Sequence, residues 1–355
     1  MWLSVLLLLT VVAISALRTI SSKEYTEPEP SDLFYELALA RHKNRTTKQA
    51  HKPGPLQALQ LLRVPKAGST SMSVLARRLA GCNPPGPCCK YPGTPPGSCP
   101  SRDLFKCDPE QGGPVVGCTH HKIDYKVLLN ASIPSISMMR DPLSRSLSAL
   151  FYPGIHHNSN CLRPQTACFF SYTKDNRFMN VAVKMFSGCD AYAPEPTCEK
   201  KETCRCSLER AVENVEDTTR LTFVGLTELW ELSLLLFYHR FPSLCPKKEE
   251  FHLQNVRRSD VVSTRPRGKG GRRSRGEKRL DYPEFKKVAY SEPSFQEALG
   301  QQNALDMRLY ELVVLRFERE LGQAGLLGEG LVRETLREFK DKMGERTAWK
   351  KDSLR

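Results

Sequence analysis

The chain has 355 residues, with 53 Lys and Arg against 39 Asp and Glu, for a formal charge of +14. Hydrophobic residues at 40% and charged residues at 26% exclude both a disordered polyelectrolyte and a multispanning membrane protein, and the length fits one large domain with appendages. Thirteen cysteines, most between Cys82 and Cys206, exceed what a reduced cytosolic enzyme accumulates and point to an oxidising compartment.

The N-terminus bears on that compartment. Trp2 to Leu17 is an uncharged apolar run that stops at Arg18, slightly short of the roughly 20 residues that span a bilayer. Residues 1–20 therefore read as a signal anchor or a signal peptide. A clear basic n-region and a small-residue cleavage site are both lacking, which favours the anchor, and a short anchor suits a thin early secretory membrane. Residues 21–55, with EPEPSD and KNRTTKQAHKPGP, are polar, lack sustained apolar periodicity and read as a stem. Asn44-Arg45-Thr46 and Asn130-Ala131-Ser132 are glycosylation sequons compatible with lumenal exposure, which makes Asn44 and Asn130 candidate glycan sites.

The main folded domain is expected over 56–325. LQALQLLRV from Leu56 is a short apolar run, PKAG follows, and Met72, Leu75, Ala76 and Leu79 then recur at helical spacing. Strand, loop, helix is the natural parse. Residues 82–118 turn to Cys, Pro and Gly and read as a disulfide-stapled insertion, as does the second cysteine-rich patch, 161–206. Ile133 to Met139 is another short apolar run, with Pro142 placed to start a helix and Leu143, Leu147 and Leu150 forming its stripe. LTFVGL and TELWELSLLLFYHRF make a third strand-then-helix unit. Repeated βα order predicts an α/β fold with a central parallel sheet flanked by helices. Residues 257–279 hold ten Lys and Arg against two acidic residues, and helices are expected over 303–321 and 330–345. The segment 326–355 reads as a C-terminal helical extension.

The sharpest local signal is Arg63-Val64-Pro65-Lys66-Ala67-Gly68-Ser69-Thr70-Ser71 at the first strand-to-helix junction. Such a turn aims backbone N–H groups and a helix N-terminus at one spot, which favours an anion. Lys66 adds a point charge, and Ser69, Thr70 and Ser71 add hydroxyl donors. The GK[ST] order of a Walker A loop is missing. Alone, the motif would read as a plain βα turn with a capping serine.

A second motif changes that. PKAGSTS resembles the 5′-phosphosulfate loop of sulfotransferases that use 3′-phosphoadenosine 5′-phosphosulfate, and ISMMRDPLSRSLSALFY resembles their 3′-phosphate element. In that family an arginine at a strand end and a serine eight positions later hold the 3′-phosphate. Here these are Arg140 and Ser148. FVGLTELWELSLLLF and NALDMRLYELVVLRFERELG resemble late helices of the Golgi-type carbohydrate sulfotransferases, and the likeness runs from about Leu56 to Gly322. The resemblance implies a P-loop-like sulfotransferase fold, the phosphosulfate nucleotide as co-substrate, and donor contacts from Lys66, Ala67, Gly68, Ser69, Thr70, Ser71, Arg140 and Ser148. It also implies a Golgi membrane protein, single-pass type II with a lumenal catalytic domain, or a secreted one. The reaction would be sulfation of a glycan hydroxyl, with acidic glycans among the acceptors.

Between the two motifs lies GCTHHKIDY. The His120-His121 pair resembles one in the galactose 3-O-sulfotransferases, and the uronyl 2-O-sulfotransferases also place a histidine just before this strand. A histidine there is the candidate base for the acceptor hydroxyl, a role that suits a group titrating near neutrality. Adjacent strand residues face opposite sides, so one of the two faces the cleft, and the sequence does not choose between them. In-line sulfuryl transfer needs positioning and charge stabilisation at the leaving oxygen, expected from Lys66, and requires no metal. The cysteine pairs lack CxxC spacing, so disulfides are the better reading than zinc.

The basic run 257–279 reads as a solvated loop or as a mobile loop gripping nucleotide or acidic acceptor. A nucleic-acid partner is excluded by the secretory N-terminus. Three alternatives remain. One is a protein-tyrosine sulfotransferase, since the nucleotide motifs do not identify the acceptor; another is a non-catalytic, secreted, cysteine-rich polyanion-binding protein. The third, a kinase, lacks GK[ST] and a convincing second acidic Mg²⁺ motif.

Overall fold

The computed structural model describes residues 29–46, 58–62, 64, 67, 71–72, 75, 104–106, 115–119, 135–151, 172, 174–189, 191, 206–242, 244, 246–252 and 282–353. Five strands form one sheet. β1 (Ala58–Leu62) lies at its centre, β2 (Leu104–Lys106) and β3 (Val115–Thr119) to one side, and β4 (Ser135–Met139) and β5 (Leu221–Leu226) to the other, in the order β2-β3-β1-β4-β5. β3, β1, β4 and β5 run parallel, and the three-residue β2 pairs antiparallel with β3. The expectation of an α/β fold with a parallel sheet and flanking helices is met at that level.

The helices are α1 (Pro30–Thr46), α2 (Pro142–Phe151), α3 (Val181–Ser187), α4 (Leu208–Glu216), α5 (Trp230–Arg240), α6 (Lys248–Phe251), α7 (Tyr282–Ser291), α8 (Pro293–Gln302), α9 (Ala304–Gln323) and α10 (Gly330–Ser353). The parallel strands read as continuous apolar runs because both faces are covered: every residue of β4 is buried, and β5 is buried except for Thr222. β5 and α5 approach closely at Gly225, where a Cβ would stand 2.5 Å from the Met138 sulfur and 2.9 Å from the Ser233 Cβ, so only glycine fits. Ser233 in turn donates to the Leu226 carbonyl at 2.9 Å and accepts the Leu226 N–H at 2.8 Å.

The main core joins Leu61 and Leu62 of β1, Ile136, Met138 and Met139 of β4, Phe223 and Val224 of β5, the apolar faces of α5 and α9, and Val332 and Leu336 of α10. A smaller cluster sits under α2, where Leu147 and Leu150 meet Tyr172, Phe178, Ala289, Phe295 and Leu299. Arg316 of α9 is fully buried; its guanidinium donates to the carbonyls of Val215 and Leu221 and to Glu320, tying the end of α4 to the start of β5. Cys189 and Cys206 are disulfide-bonded, inside the second cysteine-rich patch.

α1 lies within the segment expected to be a polar stem. Its Phe34 and Ala38 are 2% and 4% exposed in the main core, so residues 30–46 belong to the folded unit. Polar contacts hold it at both ends. Asp32 accepts from Lys248 and pairs with His252, each at 2.9 Å, while Arg41 donates to the Gly325 carbonyl and to Glu329. Asn44 is exposed on the last turn of α1; Asn130 lies outside the described residues. Among the described residues no helix is long and apolar enough to cross a membrane, and the run 2–17 lies outside them.

Candidate functional site

The strand order reverses direction between β1 and β4. From β1 the chain moves outward to β2 and β3, then crosses back to β4 and continues outward to β5. In open α/β sheets the crevice outside the carboxyl ends of the strands at such a reversal is where ligands bind. β1 and β4 are in register with Leu62 opposite Ser137, and the Ser137 hydroxyl donates to the Leu62 carbonyl at 2.9 Å. The carboxyl ends of these two strands, from which Val64 and Arg140 continue, therefore lie side by side.

On the β1 side, the Ala67 N–H donates to the Val64 carbonyl at 3.2 Å, closing a turn, and Ser71, Met72 and Leu75 are helical. Ala67, Met72 and Leu75 are buried and anchor the turn, and Ser71 is half-buried. Lys66, Gly68, Ser69 and Thr70 lie outside the described residues. On the β4 side, Asp141 caps α2: its carboxylate accepts the Ser144 N–H and its carbonyl the Arg145 N–H, each at 2.8 Å. Pro142 follows at the first helical position, where its missing N–H costs nothing. The positive end of α2 thus opens onto the crevice.

Arg140 sits between β4 and this cap with its side chain 16% exposed. It faces Glu228, which lies just past β5 in the short turn Thr227–Leu229. The Arg140 Nε is 3.9 Å from Glu228 Oε1, the same oxygen that accepts the Asp141 N–H at 3.1 Å. Tyr310 of α9 donates its hydroxyl to Oε2 at 2.9 Å. Burial, and then the neighbouring Asp141 charge, push the Glu228 carboxyl above the ordinary carboxylate range, against the Tyr310 hydrogen bond and the Arg140 charge. The Thr227 hydroxyl donates to the Met139 carbonyl at 3.0 Å and locks the end of β5 to the end of β4.

Ser148 is half-buried on α2, one turn beyond Ser144 and on the same face. The Ser144 hydroxyl lies 3.3 Å from that of Tyr290 on α7. The second arginine of the motif, Arg145, points inward instead. It is 2% exposed, donates to Asn303 and Ser146, and lies 3.5 Å from Asp306. β3 ends at Thr119, opposite Leu62, so the strand leading into the histidine pair ends at the same edge of the sheet. His120 and His121 lie outside the described residues, as does the basic run 257–279.

Glu228, which faces Arg140, and Tyr310, which holds Glu228, were not singled out by the sequence, although both lie in stretches that resemble the family. The one local signal for Glu228 is a charged residue within the apolar stretch FVGLTELW, immediately after a strand. Among the described residues no group of three or more His, Cys, Asp or Glu side chains is placed to hold a metal ion. No family model matches the chain, and neither a curated protein nor a solved structure is significantly similar to it.

Proposed function

We propose that this chain transfers a sulfuryl group from 3′-phosphoadenosine 5′-phosphosulfate to a hydroxyl of a glycan, acidic glycans included, on a P-loop-like sulfotransferase fold in the lumen of the secretory pathway. The observation that supports the reading is that β1, which precedes PKAGSTS in the sequence, and β4, which is followed by Arg140, are parallel neighbours at the reversal of strand order. Two anion-binding segments flanking one crevice suit a nucleotide with phosphate groups at both its 5′ and 3′ positions.

In this reading the loop Lys66–Ser71, whose Ala67 N–H is spent on the Val64 carbonyl, holds the 5′-phosphosulfate through Lys66, Gly68 and the hydroxyls of Ser69, Thr70 and Ser71, and Arg140 with Ser148 holds the 3′-phosphate. The acceptor oxygen attacks sulfur in line. A new S–O bond forms as the bond to the bridging phosphate oxygen breaks, and Lys66 stabilises the charge that builds on that leaving oxygen. The acceptor proton passes to His120 or His121. An N-terminal signal anchor in a Golgi membrane would present the domain to lumenal glycans.

The deciding experiment incubates the full chain with donor carrying radiolabelled sulfate and a panel of neutral glycans, uronic-acid glycans and tyrosine peptides. Label in a glycan is the expected result. Label confined to tyrosine peptides would reassign the acceptor to protein. Retention on a polyanion without transfer to any acceptor would replace the enzyme reading by a binding protein.

A further inference from the structure

We propose that Glu228 is an internal counter-anion of Arg140 and competes with the anionic donor for its guanidinium. The inference rests on the donor reading above and extends it to the regulation of that site.

The geometry is specific. Glu228 is held from three directions: the Asp141 N–H reaches Oε1 at 3.1 Å, Tyr310 on α9 reaches Oε2 at 2.9 Å, and Thr227 fixes the turn through the Met139 carbonyl. Arg140 lies 3.9 Å from Oε1, and the two side chains are only 16% and 24% exposed. Charges with partly covered side chains act on each other somewhat more strongly than a fully solvated pair does, although Glu228 as a whole residue is exposed. A phosphate arriving at Arg140 therefore enters the field of two carboxylates, Asp141 beside it and Glu228 opposite. It must outbid Glu228 for the guanidinium, or Glu228 must lose its charge.

Loss of charge is the easier route. Among the described residues, the charged and titratable groups facing Glu228 are Arg140 and Asp141 from the end of β4 and Tyr310 from α9. Burial and Asp141 favour the neutral acid, while Arg140 and Tyr310 oppose it. When the guanidinium turns to a phosphate, one opposing influence weakens and a new anion is added, and both changes favour protonation of Glu228. Donor binding is then coupled to uptake of a proton at this carboxylate, and by linkage a lower pH strengthens this component of donor binding.

The test measures binding of adenosine 3′,5′-bisphosphate to the full chain by calorimetry at pH 7.5 and 5.5, in two buffers of different ionisation enthalpy so that protons are counted. Glu228→Gln keeps the shape and an acceptor for the Asp141 N–H but removes the charge. It should bind the bisphosphate about threefold or more tightly than wild type at pH 7.5, and lose the proton uptake seen with wild type. Tyr310→Phe keeps the charge and removes a hydrogen bond that favours it, so the proton uptake should move to higher pH. Equal affinity and equal proton uptake in Glu228→Gln and wild type would overturn the proposal and leave the donor reading standing. Weaker binding by Glu228→Gln at both pH values would also overturn it, as would an unmoved proton uptake in a folded Tyr310→Phe chain should the first variant not fold. A wild-type chain that binds no bisphosphate would instead overturn the donor reading beneath it.

Discussion

Asn180 and Asp306 cap each other's helices. The Asn180 side-chain oxygen accepts the N–H groups of Leu305 and Asp306 at the start of α9, at 3.1 and 3.3 Å. The Asp306 carboxylate accepts those of Ala182 and Val183 at the start of α3, at 3.0 and 2.8 Å. Asn180 stands at φ 46°, in the left-handed region that asparagine tolerates better than most residues. Buried Arg145, 3.5 Å from Asp306, supplies the countercharge and ties this junction to α2 and thus to the candidate donor site.

Asp306→Ala should therefore destabilise the fold strongly. It strands the Arg145 charge in the core and leaves two helix N–H groups unpaired, a loss of about 3–5 kcal/mol for a broken buried pair. Urea unfolding followed by circular dichroism reads this directly; a loss within experimental error of zero would show that the junction is not a structural linchpin.

The two halves of the proposed donor site should fail differently. Lys66→Ala is expected to lower the transfer rate by about tenfold or more in a folded protein, because a contact to developing charge is lost. Arg140→Ala should chiefly weaken donor affinity, since the 3′-phosphate is remote from the reacting sulfur. Steady-state kinetics with varied donor separates the two, and an Arg140→Ala enzyme with unchanged donor affinity contradicts the assignment.

One histidine of the pair should matter far more than the other. Two consecutive side chains cannot both reach one hydroxyl, so one Ala variant should lose about 10²-fold in rate with donor binding intact, while its neighbour stays active. Activity should fall on the acid side, near pH 6 to 7, as an ordinary imidazole takes up a proton. Two fully active single variants would move the search for the base to a carboxylate, with Asp124 the nearest in sequence.

The Cys189–Cys206 bond closes a loop of sequence separation 17 between the end of α3 and the start of α4. Chain-entropy reasoning gives such a loop about 3 kcal/mol of stabilisation. The double serine variant should melt several degrees below wild type, and reductant should lower the melting temperature of the variant by less than that of wild type.

Acid should release α1. Hydrogen bonds from Lys248, then His252, hold the Asp32 carboxyl below its ordinary value of 3.8. A carboxyl depressed in the folded state contributes stability that is fully present above the unfolded value and is lost as pH falls through the folded one. Hydrogen exchange across 30–46 should accelerate on acidification below about pH 4, and Asp32→Asn should flatten that dependence.

The strand-to-helix junctions were legible because their signals are local. An apolar run followed by Asp141-Pro142 carries its own cap and first turn, and FVGL followed by TELWELSLLLF carries its own change of period. α1 was not legible for the opposite reason. Its buried positions, Phe34 and Ala38, make a stripe too narrow to stand out among Glu, Arg and Lys, and its docking partners Glu231, Lys248 and His252 are some 200 residues away. Glu228 escaped notice in the same way: it meets the Asp141 N–H across a separation of 87 residues, and no window of sequence contains both. The motif picked out Arg140 and Ser148, which stand at the end of β4 and on α2. Arg145, in the same motif, serves the interior, a difference set by the helix face it occupies and not by any neighbour in sequence.

The backbone contacts at β5 also bear on how the molecule behaves at high concentration. β5 is an outer strand of the described sheet, and an outer strand presents free N–H and C=O groups on which a second copy can add a strand. Here Arg316 occupies the Leu221 carbonyl at one end, and Ser233 occupies both the N–H and the carbonyl of Leu226 at the other. The opposite outer strand, β2, is three residues long. A second copy adding a strand to the described sheet would therefore meet occupied backbone groups at both ends of β5 and only a short edge at β2.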